Sequence, residues 1–294
     1  MHASLPLRAT RSISLEPILF TQVPNLDTVR TKLSSFIDVS SSSQQEKEKA
    51  MATISTVVIP FLKSRFDEKT GVVKSNQVNQ DLLTSVAGKW EGTTTALMSS
   101  LSTKDLFPLI DLWRVALLDN ALAAWCVGWS ATTASSPPQA LLAHISTSLQ
   151  GDTPPPKPVL LTSLRMASNA FASVELARTL LSTAASSSSS SPRDILTRLI
   201  VPSLLHEDAG VRTAAASLTF NVVAHYQRPR MKALRSGRHH DATIEETGDG
   251  DGEWEVEMVS ATVEAIKLET ASEDVGTSPN RLFFDDHCGL TFAL

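Results

Sequence analysis

Apolar residues recur at three- and four-residue intervals along most of the chain, and this spacing predicts a protein built almost entirely from α-helices. Residues 46–66 show the pattern of one apolar helical face. Residues 105–118 are apolar on nearly every side, so we expect this helix to lie between others. Further helices are predicted at residues 137–149, 157–183, 192–206, 209–226 and 253–270, and the second of these is long enough to be two helices.

Stretches rich in serine, proline and glycine separate these helices and predict loops at residues 40–43, 132–138, 151–158 and 186–191. Pro192 suits the first turn of the helix that follows. A longer stretch, residues 228–252, begins basic and ends acidic without apolar periodicity, which predicts a mobile loop. Helical units of roughly 40 residues joined by loops are typical of an α-solenoid of the armadillo or HEAT type. The predicted fold class is therefore all-α.

Composition and charge exclude several classes of protein. The chain has 294 residues, of which 42% are hydrophobic and 19% are charged, so it is too apolar for wholesale disorder and too interrupted by charge for a membrane protein. Its formal net charge of −5 provides no general attraction for nucleic acid. Two cysteines without paired spacing exclude a disulfide framework and favour a reducing compartment, the cytoplasm or the nucleus.

The sequence offers no set of residues for catalysis. His239 and His240 are adjacent on the predicted loop and have no further ligands at metal-binding spacing. Cys126 lies in an apolar stretch, where a thiol is more often a core residue than an activated nucleophile. Cys288 follows His287, but adjacent residues rarely present thiolate and imidazole to each other. We therefore expect no enzymatic activity, no metal and no cofactor.

Arg114 is a stronger candidate for function, because it falls inside the most apolar of the predicted helices. A guanidinium in such a position must be paired, must reach solvent along its flexible stem, or must be exposed on a groove where it can meet an acidic ligand. The pairing alternative is a salt bridge with Asp111 or Asp119, and the sequence leaves the alternatives open.

Three further polar residues interrupt apolar helical faces. Arg165 and Asn169 lie four residues apart on one face, so together they could present hydrogen-bond donors to an extended peptide. Asn221 interrupts the apolar run at residues 218–223. In a solenoid such an Asn can hold a peptide, and it can equally cap a neighbouring turn.

Four segments carry motifs that follow one another in the order seen in a known family. Residues 17–20 are PILF and residues 106–114 are LFPLIDLWR, a Phe-Pro-x-x-Asp-x-x-Arg pattern. Residues 164–171 follow Leu-Arg…Asn-x-Phe, and residues 211–221 are alanine-rich and end in Leu-x-x-Asn. Over residues 12–275 the chain resembles the PUL domain, the C-terminal module of phospholipase A2-activating protein, which fungal proteins also carry fused to thioredoxin and desumoylating-peptidase domains.

The resemblance implies an armadillo-like stack with a basic concave groove. It also implies a partner, the acidic C-terminal tail of the hexameric AAA+ segregase called valosin-containing protein, in ubiquitin-dependent processing. Carried over onto this chain, the residues expected to contact that peptide are Arg114, Arg165, Asn169, Asn221 and Arg281. We expect a monomeric, non-catalytic adaptor with no nucleic-acid or membrane partner.

The end of the chain departs from the family pattern. Residues 276–280 intervene before Arg281, and the closing helical repeat is not recognisable, so we expect a PUL domain at residues 12–275 between a tail at residues 1–11 and a divergent tail at residues 276–294. Loss of that repeat would weaken both the groove and the fold. Two alternatives stay open: a solenoid scaffold that does not bind the segregase, and a part of a thioredoxin or desumoylating-isopeptidase fusion protein.

Overall fold

The computed structural model describes residues 14–67, 70, 73–74, 79–132, 135–151, 154–184, 190–235 and 250–274. These residues form helices joined by turns. No strand occurs among them, and one isolated antiparallel bridge pairs Phe66 with Val73. The predicted all-α fold class is confirmed.

The helices of the described residues are, in chain order, α1 (Leu26–Val39), α2 (Gln44–Thr53), α3 (Ile59–Arg65), α4 (Gln80–Ser100), α5 (Phe107–Ala116), α6 (Asn120–Thr132), α7 (Pro137–Ser148), α8 (Lys157–Ala170), α9 (Val174–Leu180), α10 (Pro192–Leu204), α11 (Ala209–Arg235) and α12 (Gly250–Asp274). A π-helical turn at Ile54–Val58 joins α2 to α3. Pro60 in the first turn of α3 has no N–H to donate, which suits a changed hydrogen-bond pattern at this point.

Short polar side chains fix the starts of several helices. Ser43 Oγ accepts the N–H of Glu46 and the Glu46 carboxylate accepts the N–H of Ser43, which is a capping box at the start of α2. Ser191 and Asp194 make the same reciprocal pair at the start of α10. Pro192 lies in the first turn of α10, as predicted. A cap of this kind stabilises a helix by about 1 kcal/mol.

Helices occur in every range where the apolar spacing predicts one, and residues 157–183 contain two, α8 and α9. The loop predicted at residues 228–252 is corrected at both ends. Helix α11 continues to Arg235 and α12 begins at Gly250, while residues 236–249 lie outside the described residues. The last turns consist mostly of Arg, Met, Lys, Ala and Leu, which are strong helix formers, and the helix continues past Pro229.

Eight of the helices described pack in two rows. Helices α1, α5, α8 and α11 pack side by side in that order and form what we call the first row. Helices α4, α7, α10 and α12 form the second row, and α7 packs on α8 as α10 packs on α11. Each helix therefore contacts its neighbours in the stack, which is the arrangement of an α-solenoid.

Helix α5 lies in the middle of the core, as its apolar sequence predicts. All its residues from Pro108 to Ala116 are buried except Asp111. The indole ring of Trp113 stacks on that of Trp90 with ring centroids 4.0 Å apart, and Trp113 Nε1 donates to Thr94 Oγ1 at 3.0 Å. This buried contact joins α5, in the first row, to α4, in the second row.

Candidate peptide-binding site

Polar residues follow one another along three helices of the first row. Arg114 lies in the last turn of α5, Asn169 lies in the last turn of α8, and Asn221 and Arg228 lie two turns apart on α11. Because these helices are neighbours, their polar side chains form a line across the row. We call this line the polar ladder.

Residues 14–20, which we call the N-terminal segment, cross the polar ladder. The N–H of Ile18 donates to Asn221 Oδ1 at 2.7 Å, and Asn221 Nδ2 donates to the carbonyl of Ile18 at 2.9 Å. The N–H of Phe20 donates to Asn169 Oδ1 at 2.7 Å, and Asn169 Nδ2 donates to the carbonyl of Phe20 at 3.1 Å. Each carboxamide thus satisfies both polar groups of one residue, and the two-residue interval is that of an extended chain.

The two asparagines are also attached to the helices beside them. Asn169 Nδ2 donates to the carbonyl of Arg114 at 2.9 Å, and Asn221 Nδ2 lies 3.4 Å from the carbonyl of Ser168. Both carbonyls belong to the last turn of a helix, where backbone carbonyls have few partners within the helix, and the carbonyl of Ser168 also accepts the N–H of Phe171 at 3.1 Å. Asn169 is 0% exposed and Asn221 1% exposed, so their orientation is fixed by the fold.

Arg114 is paired, which is the first of the alternatives that the sequence leaves open, and it also contacts the N-terminal segment. Its Nε forms an ion pair with Asp111, and its NH1 donates to the carbonyl of Phe20 at 2.7 Å. The side chain is buried beneath the N-terminal segment. The other possible partner, Asp119, instead forms an ion pair with Arg65 at 2.5 Å.

Arg165 lies close to Arg114 and forms no ion pair with the described residues. Its guanidinium lies over the ring of Phe20, 5.2 Å from the centroid, and the residue is half-buried. No carboxylate of the described residues lies within ion-pair distance of it, and its Nε is buried without a hydrogen-bond partner. Burial, followed by the charge of Arg114, lowers the pKa of Arg165, and Asp111 opposes this effect. A guanidinium stays charged in spite of such a shift.

Arg228 is a contact that the sequence analysis missed, because it placed this residue in a loop. Its Nε donates to the carbonyl of Leu15 at 2.9 Å, and its NH2 lies 3.1 Å from the carboxylate of Glu16. The signal was present in the sequence, since Arg228 follows Asn221 by seven residues and therefore lies on the same face of one helix.

Two arginines lie near His225 on α11. Burial lowers the pKa of His225, and the charges of Arg178 and Arg228 lower it further. Arg178, in the last turn of α9, is exposed.

The remaining sequence candidates lie elsewhere. Cys126 is buried, as predicted, and burial raises the pKa of its thiol to about 12. Within the described ranges no group of three or more His, Cys, Asp or Glu side chains could hold a metal ion. No helix among those described is long and apolar enough to cross a membrane. Arg281, Cys288 and the pair His239 and His240 lie outside the described residues.

Comparison with known proteins agrees with the motif order in the sequence. The family model described as the PUL domain matches residues 14–276, which is most of the chain. The comparison with curated proteins and the comparison with solved structures each found no significant match. PUL domains are protein-interaction domains. The chain belongs to the PUL domain family, and its role is to bind other proteins.

Proposed function

We propose that the chain is a non-catalytic adaptor that binds the acidic C-terminal tail of the hexameric AAA+ segregase called valosin-containing protein, and so links this motor to ubiquitin-dependent processing. The proposal places the chain in the cytoplasm or the nucleus and has it act as a monomer without a cofactor. Membership of the PUL family supports a protein partner, and the arginines on or beside the polar ladder, Arg165, Arg178 and Arg228, support an acidic one.

The observation that carries the proposal is that Arg165 is half-buried and forms no ion pair with the described residues. A half-buried guanidinium gains a strong, charge-assisted hydrogen bond when a carboxylate approaches it, because little water competes. Arg114 already has Asp111 as its counter-ion, whereas Arg165 has no carboxylate among the described residues at ion-pair distance. An acidic side chain of the tail would therefore be bound at Arg165, with the exposed Arg178 and the half-buried Arg228 placed to attract its neighbours.

Fluorescence polarisation with a labelled peptide of the segregase tail tests the proposal. We expect binding that weakens as salt is raised, and an Arg165→Gln chain that binds at least about tenfold more weakly, since a hydrogen bond to a charged group contributes about 1.5 to 3 kcal/mol. Arg198→Gln is the matched control, because it removes the same charge from α10 in the second row.

Two outcomes would contradict the proposal. If a folded wild-type chain does not bind the peptide at low salt, the alternative of a scaffold that does not bind the segregase is favoured. If Arg165→Gln and Arg198→Gln weaken binding equally, the peptide is attracted by overall charge and is not held at Arg165.

A further inference from the structure

Helix α12 carries a stripe of apolar side chains on its exposed side. Among the described residues, half of the exposed large apolar side chains belong to α12, and the rest are scattered singly over other elements. Four of those on α12, which we call the exposed stripe, are Val256, Val259, Val263 and Ile266, and they are between 45% and 66% exposed. Single apolar residues are normal on a protein surface, whereas a contiguous group indicates an interaction site.

The spacing of the exposed stripe places it on one side of the helix. Its residues follow one another at intervals of three, four and three, which is the a and d spacing of a heptad. At 1.5 Å per residue the stripe is about 15 Å long. Met258 and Ala261 lie on the opposite side of the helix, where they are buried. Helix α12 therefore has one apolar side that packs on α10 and α11 and a second apolar side that is exposed.

Acidic side chains border the exposed stripe. Helix α12 contains eight acidic residues and one basic residue, Lys267. Glu253, Glu257 and Glu264 are exposed and follow one side of the stripe, and the exposed Glu255 lies on its other side. Lys267 lies 3.4 Å from the carboxylate of Glu264, so this single positive charge is already paired. A ligand that complements this surface is apolar in the middle and basic at both edges.

We infer that the exposed stripe is a docking site for an amphipathic helix of a partner protein, with apolar residues at heptad spacing and basic residues on both sides of them. Such a helix pairs its apolar residues with the stripe over about three turns and its basic residues with the bordering carboxylates. The inference does not rest on the proposed function, because α12 belongs to the second row and Arg165 to the first. It extends that function, since one chain then connects the segregase with a second protein.

The charges distinguish between possible occupants of the stripe. A second copy of α12 would bring another acidic helix against it, and like charges placed side by side weaken an interface. A basic helix gains attraction from the same carboxylates. Because these carboxylates are exposed, the attraction decreases as ionic strength rises.

The test uses the full chain and two designed peptides. The first is a labelled helix of three heptads, with leucine at positions a and d and lysine at positions e and g. Its lysines repel one another, so the peptide does not pair with itself. The second peptide has glutamate in place of every lysine. Fluorescence polarisation measures the binding of both peptides.

Val259→Lys places a charge in the middle of the exposed stripe, and Leu82→Lys is the matched control. Leu82 is 54% exposed on α4, so both substitutions add the same charge at an exposed apolar position. We expect the lysine peptide to bind the wild-type and Leu82→Lys chains equally, and the Val259→Lys chain at least about tenfold more weakly, since docking would bury an unpaired charge. The glutamate peptide should bind the wild-type chain at least about tenfold more weakly than the lysine peptide does.

Any of several results would overturn the inference. A folded wild-type chain that does not bind the lysine peptide has no such site. Equal weakening by Val259→Lys and Leu82→Lys would show attraction by overall charge, and equal binding of the two peptides would show that the bordering carboxylates do not select a basic partner. A dimer in light scattering that Val259→Lys dissociates would show that a second copy covers the stripe. Binding that requires serine in place of Phe283 and Phe284 would show that residues 275–294 cover it.

The proposed function can fail separately from this inference. The Arg165→Gln chain should bind the lysine peptide as the wild-type chain does, because Arg165 lies on α8 in the first row. A chain that binds the lysine peptide but not the segregase peptide would therefore contradict the proposed function alone.

Discussion

The side chain of Asn169 holds three parts of the chain together, and replacing it with alanine tests how much these bonds stabilise the fold. The carboxamide donates to the carbonyls of Arg114 and Phe20 at 2.9 and 3.1 Å and accepts the N–H of Phe20 at 2.7 Å. Each hydrogen bond contributes about 1 kcal/mol net, so losing three removes about 3 kcal/mol. The side chain is 0% exposed, and water cannot replace these partners without a rearrangement.

Urea denaturation followed by circular dichroism measures this loss, with Asn79→Ala as the matched control. Asn79 caps α4 by accepting the N–H groups of Asp81 and Leu82, and it is exposed, so its loss costs about 1 kcal/mol. We expect the free energy of unfolding to fall about three times as far in Asn169→Ala. Equal losses in the two variants, at an unchanged denaturant slope, would refute the claim that the ladder stabilises the first row.

Three further predictions concern α12, the buried thiol and the half-buried histidines. Met258 is 5% exposed and Val259 is 62% exposed. Calorimetry should therefore show a melting temperature several degrees lower for Met258→Lys and an unchanged one for Val259→Lys. Equal shifts in the two variants would contradict the packing of α12. Cys126 should react with a thiol reagent, as mapped by mass spectrometry, only in denaturant, and labelling in the folded chain would count against its burial. Burial lowers the pKa of His144 and His225 below 6.5, so protons bind these residues more tightly in the unfolded chain. The free energy of unfolding should therefore fall as the pH is lowered from about 7 to about 5.5. This decrease should be smaller when both histidines are replaced by glutamine, and an unchanged decrease would show that other groups cause it.

The sequence predicts the fold class well, because helical periodicity is a local property. The helices with a clear apolar face, such as α7 and α10, occur at the predicted residues. Helix α4 was not assigned a range, since small and polar residues such as Thr93 and Thr94 occupy buried positions where the pattern expects apolar ones. The final turns of α11 were missed for the opposite reason, because their helix depends on intrinsic propensity and not on a buried stripe.

In the candidate site, too, the sequence predicts only what a local pattern indicates. Residues such as Asn169 and Asn221 are visible in the sequence because each interrupts an apolar helical face. The identity of the segment that they hold is not visible, since Ile18 and Asn221 are 203 residues apart and no local pattern connects them. The sequence therefore leaves open whether these amides hold a peptide or cap a turn, and the packing of α8 beside α11 shows that they bind Ile18 and Phe20 of the same chain.

The polar ladder combines two kinds of recognition that respond differently to salt. Asn169 and Asn221 contact peptide groups, and these neutral hydrogen bonds are not screened by ions. Arg165 and Arg228 respond to charge, and the exposed pair of Arg228 with Glu16 weakens as ionic strength rises. In the proposed complex, the charge-dependent contribution therefore distinguishes an acidic tail from a neutral one. A tail with several acidic residues can engage Arg165 together with the exposed Arg178. The affinity of the chain for such a tail should therefore be highest at low ionic strength.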